Sequence, residues 1–225
     1  MKAMLLAAGH GRRMRPLTDT LPKPLLSVGG KPLIVWQLDR LRHAGINDIV
    51  INLSYLGEKI ADALGDGAQW GVRIRYSWEH DGPVETGGGI RAALDALQGQ
   101  PFLVVNGDVW TDFPYRTLVG RVPDQAHLVL TDNPAHRPAG DFYLRPDGLL
   151  DLTAGRPLTF TGIGVYRPGF IAQRPPGRFP LVSLLRDAIA AGRISGEYWP
   201  GDWCDIGTPE RLAELNRRLC GGAGP

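Results

Sequence analysis

The feature that most constrains this chain is its beginning. An apolar run is cut by glycine and followed at once by clustered positive charge, in LLAAGHGRRMRPLT over residues 5–18. A short apolar run ending in glycine reads as a buried strand leaving its sheet through a tight loop, because glycine lets the backbone turn and approach a ligand closely. Several backbone N–H groups then face one point, an arrangement suited to phosphate. Arg12, Arg13 and Arg15 add planar guanidinium forks that match phosphate oxygens. Ten residues after Arg13 stands Lys23 in Pro22-Lys23-Pro24. The prolines favour extended backbone at Pro22 and Lys23, so the ammonium is presented from a defined place.

Two common phosphate loops are excluded. The dinucleotide fingerprint G-x-G-x-x-G fails at its third position, Met14, and no acidic residue stands in Leu26–Lys31 to hold a ribose. No Gly-Lys-Ser/Thr follows, which removes the Walker loop. The N-terminus reads as a buried first strand and not as a secretory leader, because Gly9 and Gly11 interrupt its apolar run. No run approaches the ~20 apolar residues of a membrane span.

Downstream, short β-rich runs alternate with helical segments. Strands are expected at Ala3–Ala7, Asp48–Asn52, Val72–Tyr76 and Phe102–Asn106, with helices at Pro32–His43, Leu56–Leu64 and Gly89–Leu97. This is the pattern of a parallel sheet with covering helices. Beyond Asp108 the expected strands His127–Thr131, Asp141–Leu144, Leu149–Leu152 and Leu158–Tyr166 are joined by Pro- and Gly-rich turns, which favours antiparallel pairing. Helices are expected at Leu181–Ala191 and Pro209–Leu219, with Thr208 as N-cap. The reading is a single domain over 1–225, with residues 1–110 forming one half and 111–225 the other.

Two carboxylate positions stand out. Asp108 ends the apolar strand Val104-Val105-Asn106-Gly107-Asp108, at the sheet edge where open α/β folds bind ligands. Magnesium takes hard oxygen ligands of this kind, although an Asp after a strand serves equally well as a helix cap. Glu79 and Thr86-Gly87-Gly88-Gly89 precede a helix, where glycines bring backbone donors against a nucleotide or merely give a flexible helix entry. A net charge of +2 gives no electrostatic ground for nucleic-acid or membrane partners, leaving small molecules. Cys204 and Cys220 lack zinc spacing and read as reduced thiols of a cytoplasmic protein.

The run L-A-A-G-x-G-x-R-M-x-P-L-T followed by P-K-P resembles the signature of the sugar-1-phosphate nucleotidyltransferases. That resemblance implies a Rossmann-like α/β fold: a mixed, mainly parallel sheet flanked by helices, with a small antiparallel sugar-binding part. It also implies Arg13, Lys23 and Asp108 as catalytic residues. Leu6, Ala7, Ala8, Gly9, Gly11, Arg12, Arg13, Lys23, Glu79, Thr86, Gly87 and Gly88 would bind the nucleotide. Trp203-Cys204-Asp205-Ile206-Gly207-Thr208 resembles the family's W-x-D-x-G-T segment, which makes Asp205 the partner of Asp108 for Mg²⁺. Asn106, Asp141, Thr161, Gly162 and Glu197 would contact the sugar phosphate, with Arg156 as a trial cation for its phosphate.

The implied reaction joins a nucleoside triphosphate to a sugar 1-phosphate. In the second half, AHLVLTDNP, LTFTGIGVY and WCDIGTPERL resemble the family branch that uses UTP and N-acetylmuramic acid 1-phosphate in cell-wall recycling. Mannose or heptose 1-phosphate guanylyltransfer is the nearest rival. A silent nucleotide-sugar-binding regulator on the same fold is the alternative of a different class, and retention of Lys23, Asp108 and Asp205 argues against it.

Overall fold

The computed structural model describes residues 1–80, 82–97 and 99–221. β1 (Ala3–Leu6) leaves through the glycine-arginine loop to a small hairpin, β2 (Ser27–Val28) and β3 (Lys31–Pro32), and then α1 (Leu33–His43). β4 (Asp48–Leu53), α2 (Gly57–Leu64), β5 (Arg73–Trp78), α3 (Glu85–Ala92), α4 (Leu94–Leu97) and β6 (Phe102–Asn106) complete the first half. The second half adds β7 (Val109–Thr111), β8 (Ala126–Thr131), β9 (Phe142–Leu144), β10 (Leu150–Asp151) and β11 (Arg156–Tyr166). Then come α5 (Pro168–Ala172), α6 (Leu181–Ala190), β12 (Ile194–Tyr198), β13 (Trp203–Asp205) and α7 (Pro209–Gly221).

The first-half strands lie in the order β5, β4, β1, β6, all parallel. β11 pairs antiparallel with β6, β8 antiparallel with β11, and β12 parallel with β8. The start of β11 turns away to pair with β9, which pairs with β10. The sheet is therefore mixed, with a parallel half and an antiparallel extension. A separate ribbon of β7 and β13 stands beyond the end of β6.

Alternation along β1 explains the layering, because successive side chains of a strand point to opposite faces. Ala3 and Leu5 face Ile34, Leu38 and Leu41 of α1 and Ile60 of α2. Met4 faces the other layer, with Ile90 of α3 and Leu184, Leu185 and Ile189 of α6. Each such Leu or Ile contributes about 1.5–3 kcal/mol on full burial. A third cluster joins Met14, Leu26, Val28, Trp110, Ile206, Leu212 and Leu215, so α7 is bound to the loop after β1. Among the described residues no helix is long and apolar enough to cross a membrane.

Three expectations are corrected. α3 begins at Glu85, so Gly87, Gly88 and Gly89 lie buried inside it instead of leading into it. A side chain at Gly87 would meet the Phe179 ring and one at Gly89 would fall 2.6 Å from Glu79 Oε1, so close packing is what these positions require. β12 was not expected; it pairs along β8 and bridges to Leu149 on its other side, with only Ile194 fully buried. Lys23 opens a 3₁₀ turn, Lys23–Leu25, while Pro22 alone is extended.

Candidate active site

The ends of β1, β4, β5 and β6 open into a cleft of about 350 Å³. Leu6, Ala7, Ala8, Gly9, Gly11, Arg12, Arg13, Lys23, Glu79, Thr86, Asn106 and Asp108 line it, as does Asn52. β1 and β6 pair in register, Leu6 beside Asn106, which brings the loop after β1 against the carboxylate after β6. This edge is where the loops of neighbouring parallel strands diverge and leave room for a ligand.

Local contacts fix the loop. Gly11 holds φ 61°, a left-handed conformation that favours glycine, and its carbonyl accepts a hydrogen bond from Thr18 Oγ1 at 2.9 Å. The Tyr55 hydroxyl donates to Thr18 O at 3.1 Å, and the His10 ring stacks on Tyr55 with centroids 5.1 Å apart. Met14 is fully buried, so Arg12 and Arg13 are carried on a short turn anchored by that side chain.

The three arginines separate in the fold. Arg15 pairs with Asp19 at 3.1 Å outside the cleft lining. Arg12 and Arg13 line the cleft and, among the described residues, form no ion pair. Uncompensated guanidinium groups at a concave backbone loop attract phosphate strongly.

Lys23 is buried and donates a hydrogen bond to Asp108 Oδ2. Asp205 leaves β13 opposite Val109, and Ile206 N donates to Asp108 O at 2.9 Å, so the β7–β13 ribbon brings the two carboxylate residues together. Arg211 Nη1 donates to Asp205 Oδ1, and His136 Nε2 lies 3.4 Å from the same oxygen. Oδ1 of Asp108 and Oδ2 of Asp205 accept no hydrogen bond among the described residues. Each carboxylate thus keeps one free hard oxygen, a donor set that fits a magnesium ion whose other ligands are phosphate and water oxygens. Among the described residues no group of three or more His, Cys, Asp or Glu is arranged for a metal, so a cation here depends on substrate oxygens as well.

On the base side, Asn52 was missed by the sequence reading. Its only signal is a lone polar residue near the end of the apolar run of β4. It accepts from Ala7 N at 2.9 Å and donates to Glu79 Oε1 at 2.7 Å, while Val84 N donates to Glu79 Oε2 at 3.0 Å. Buried Glu79 therefore ties three segments of the cleft wall together. Gly87 and Gly88 are not among the lining residues; Gly88 N donates to Phe179 O at 3.1 Å.

The sugar-side residues disperse. Gly162, at φ 79°, lies in a two-residue bulge of β11 against Asn106, and a Cβ there would fall 2.5 Å from Asn106 Nδ2. Thr161 is buried, its hydroxyl donating to Val129 O at 2.8 Å and its carbonyl accepting from Trp203 Nε1 at 2.9 Å. Asp141 and Glu197 do not line the cleft. Asp141 pairs with Arg137 at 2.7 Å and accepts from Phe160 N at 2.9 Å. Glu197 is 3.6 Å from His127 Nε2 and 3.3 Å from Arg121 Nη2, and the His127 side-chain hydrogen bond, with the Arg121 charge, holds its carboxyl below the usual range against the opposing effect of burial. Arg156 pairs with Asp132 at 2.7 Å and covers the Tyr198 ring, away from the cleft lining.

Comparison with known proteins agrees with this geometry. The model of the nucleotidyl transferase family matches residues 2–142. The chain is 51% identical to N-acetylmuramate alpha-1-phosphate uridylyltransferase of Neisseria meningitidis, covering 95% of this chain and 96% of that one. It is 34% identical to the protein of the same description from Caulobacter vibrioides, covering 96% of each. A mannose-1-phosphate guanyltransferase of Emericella nidulans is 32% identical, with 62% of its length covered. Among solved structures, HddC of Yersinia pseudotuberculosis in complex with GMP-PN shares the fold, with a TM-score of 0.80 at 21% identity over 97% of this chain and 99% of that one. The cleft with its basic loop and the Asp108 carboxylate, the family model and these relatives lead to one conclusion: the chain belongs to the nucleotidyl transferase family.

Proposed function

We propose that this protein transfers UMP from UTP to N-acetylmuramic acid 1-phosphate, giving the UDP-sugar and pyrophosphate in the cytoplasm. The observation that carries the reaction type is the convergence of unpaired Arg12 and Arg13 with the Lys23–Asp108 pair around one cleft. The choice of uridine and of the amino-sugar acid is supported by the similarity to the Neisseria meningitidis uridylyltransferase.

The acceptor phosphate is already an anion, so no general base is required. One of its oxygens attacks the α-phosphorus, the bond from that phosphorus to the bridging oxygen breaks, and pyrophosphate leaves with the electron pair. The difficulty is electrostatic, since two polyanions must meet. Arg12 and Arg13 cradle the triphosphate, and Lys23 faces the charge that builds on the leaving group, the kind of preorganised stabilisation that dominates phosphoryl-type transfers. Asp108 and Asp205 would hold Mg²⁺ through their free oxygens, and the ion would supply charge neutralisation for donor and acceptor phosphates. Asn52 and Glu79 keep the base-side wall fixed.

A pyrophosphate-release panel tests the proposal. It crosses UTP and GTP with the 1-phosphates of N-acetylmuramic acid, N-acetylglucosamine and mannose. Highest kcat/KM is expected for UTP with the N-acetylmuramic acid ester. A preference for GTP with mannose 1-phosphate would replace this reading with the guanylyl one.

A further inference from the structure

The sequence supplies no lysine after Lys59, so any cation that the second half offers the acceptor phosphate is an arginine or a histidine. The fold provides one at the start of α7. Arg211 stands in its first turn, held there as Thr208 Oγ1 accepts from Arg211 N at 3.4 Å. Its guanidinium divides its two ends. Nη1 is engaged by Asp205, with His136 Nε2 2.8 Å away. Nη2 makes no hydrogen bond among the described residues and lies over the α-carbon of Gly207, a residue of the cleft wall.

Gly207 is also where Arg13 arrives. A Cβ built there would collide with Arg211 Nη2 and lie 3.3 Å from Arg13 Nη1. Two guanidinium groups converge on one glycine with a single carboxylate, Asp205, to offset them. Like charges held this close repel unless an anion lies between them, and the free end of Arg211 points to where that anion belongs.

We infer that Arg211 is the residue that holds the acceptor's 1-phosphate, with Nη2 on a phosphate oxygen and Nη1 kept on Asp205. The inference rests on the sugar-1-phosphate reading above and adds a binding residue that sequence resemblance does not supply. One planar side chain then fixes the acceptor phosphate relative to a carboxylate that fits the metal. Arg13 meets the same phosphate from the triphosphate side. A lysine ammonium lacks the reach and the planar fork with which a guanidinium spans two separated partners.

The test uses Arg211→Lys and Gly207→Ala, each first checked for an unchanged melting temperature. KM is measured separately for UTP and for whichever sugar 1-phosphate the wild type turns over best. Binding of that sugar 1-phosphate is measured by calorimetry in EDTA, where no metal contributes. Arg211→Lys is expected to raise the acceptor KM by about tenfold or more and to weaken metal-free acceptor binding in parallel, with UTP KM within about twofold. Gly207→Ala displaces the Arg211 guanidinium from the backbone side and should also raise the acceptor KM, so it reads the site if the lysine variant fails to fold; because its methyl group approaches Arg13 as well, UTP KM is a criterion for Arg211→Lys alone. An acceptor KM that stays within twofold, or a UTP KM that rises equally, overturns the assignment of Arg211. Absence of pyrophosphate release by the wild type with every sugar 1-phosphate instead overturns the proposed reaction itself.

Discussion

Lys23 donates a hydrogen bond to Asp108 across 85 positions of the chain, joining the two segments that flank the cleft floor. The lysine side chain is 9% exposed and the aspartate 38%. A buried ammonium needs a counter-charge, whereas the aspartate can be hydrated when the lysine is removed. Lys23→Met is therefore expected to cost little stability but to lower kcat about 10²–10³-fold, the scale of losing one charge stabiliser at a reacting centre. Steady-state kinetics beside a thermal melt would check this, and a variant with near-normal kcat would remove Lys23 from the mechanism.

Asp108→Asn and Asp205→Asn should each abolish turnover at saturating Mg²⁺; the melting temperature of Asp205→Asn should stay near that of the wild type, whereas Asp108→Asn, which leaves the buried Lys23 ammonium without its carboxylate, should melt lower. Binding of Mn²⁺ followed by electron paramagnetic resonance gives an independent readout, and both variants should bind it more weakly. Full activity of either variant at high Mg²⁺ would refute its role as a ligand.

Gly162→Ala strikes the bulge of β11. The position combines a left-handed φ of 79° with direct contact to Asn106, so the new methyl group is strained and also displaces a cleft residue. A stability loss of about 1–2 kcal/mol is expected in urea unfolding, with a higher KM for the acceptor. An unchanged acceptor KM would separate the bulge from sugar binding.

Alanine in place of a glycine inside a helix normally stabilises by about 0.5–1 kcal/mol. At Gly87 the opposite sign is expected, because the methyl group would collide with the Phe179 ring. Overpacking of this kind costs about 1–3 kcal/mol, measurable by urea titration. A more stable Gly87→Ala protein would show that the contact with Phe179 is loose.

Glu197 offers a pH test. His127 and Arg121 lower its folded pKa below the unfolded value, so its ionised form contributes stability above about pH 4.3, the usual glutamate value. That contribution is lost as pH falls through the lowered folded pKa. Glu197→Gln should thus be less stable than wild type at pH 7, with the gap closing below about pH 4. A gap independent of pH between 7 and 3 would show that shape, and not charge, explains the residue's contribution.

Much of this was legible in the chain itself. The apolar runs of β1, β4 and β6 are continuous because helices cover both faces, and such runs are visible without a structure. β12 escaped notice because ISGEY carries only a single fully buried side chain, so no alternation of apolar and polar residues marks it as a strand. The bulge in β11 escaped for a different reason: two extra residues between Phe160 and Gly164 are defined by their mismatch with β8, which no local pattern encodes.

By itself, then, the sequence determined the glycine-arginine strand–loop, the carboxylate at the end of β6 and the α/β class, since these depend on residues close in the chain. Tertiary structure decided the pairing of charges. It set Arg15 aside with Asp19, left Arg12 and Arg13 without an ion pair among the described residues, gave Lys23 to Asp108 and brought Arg211 to Asp205 and Gly207. Those partnerships follow from strand order and from the packing of α7 against the loop after β1. An ionic contact depends on distances of a few ångströms between segments far apart in sequence, and only the packed fold sets such distances.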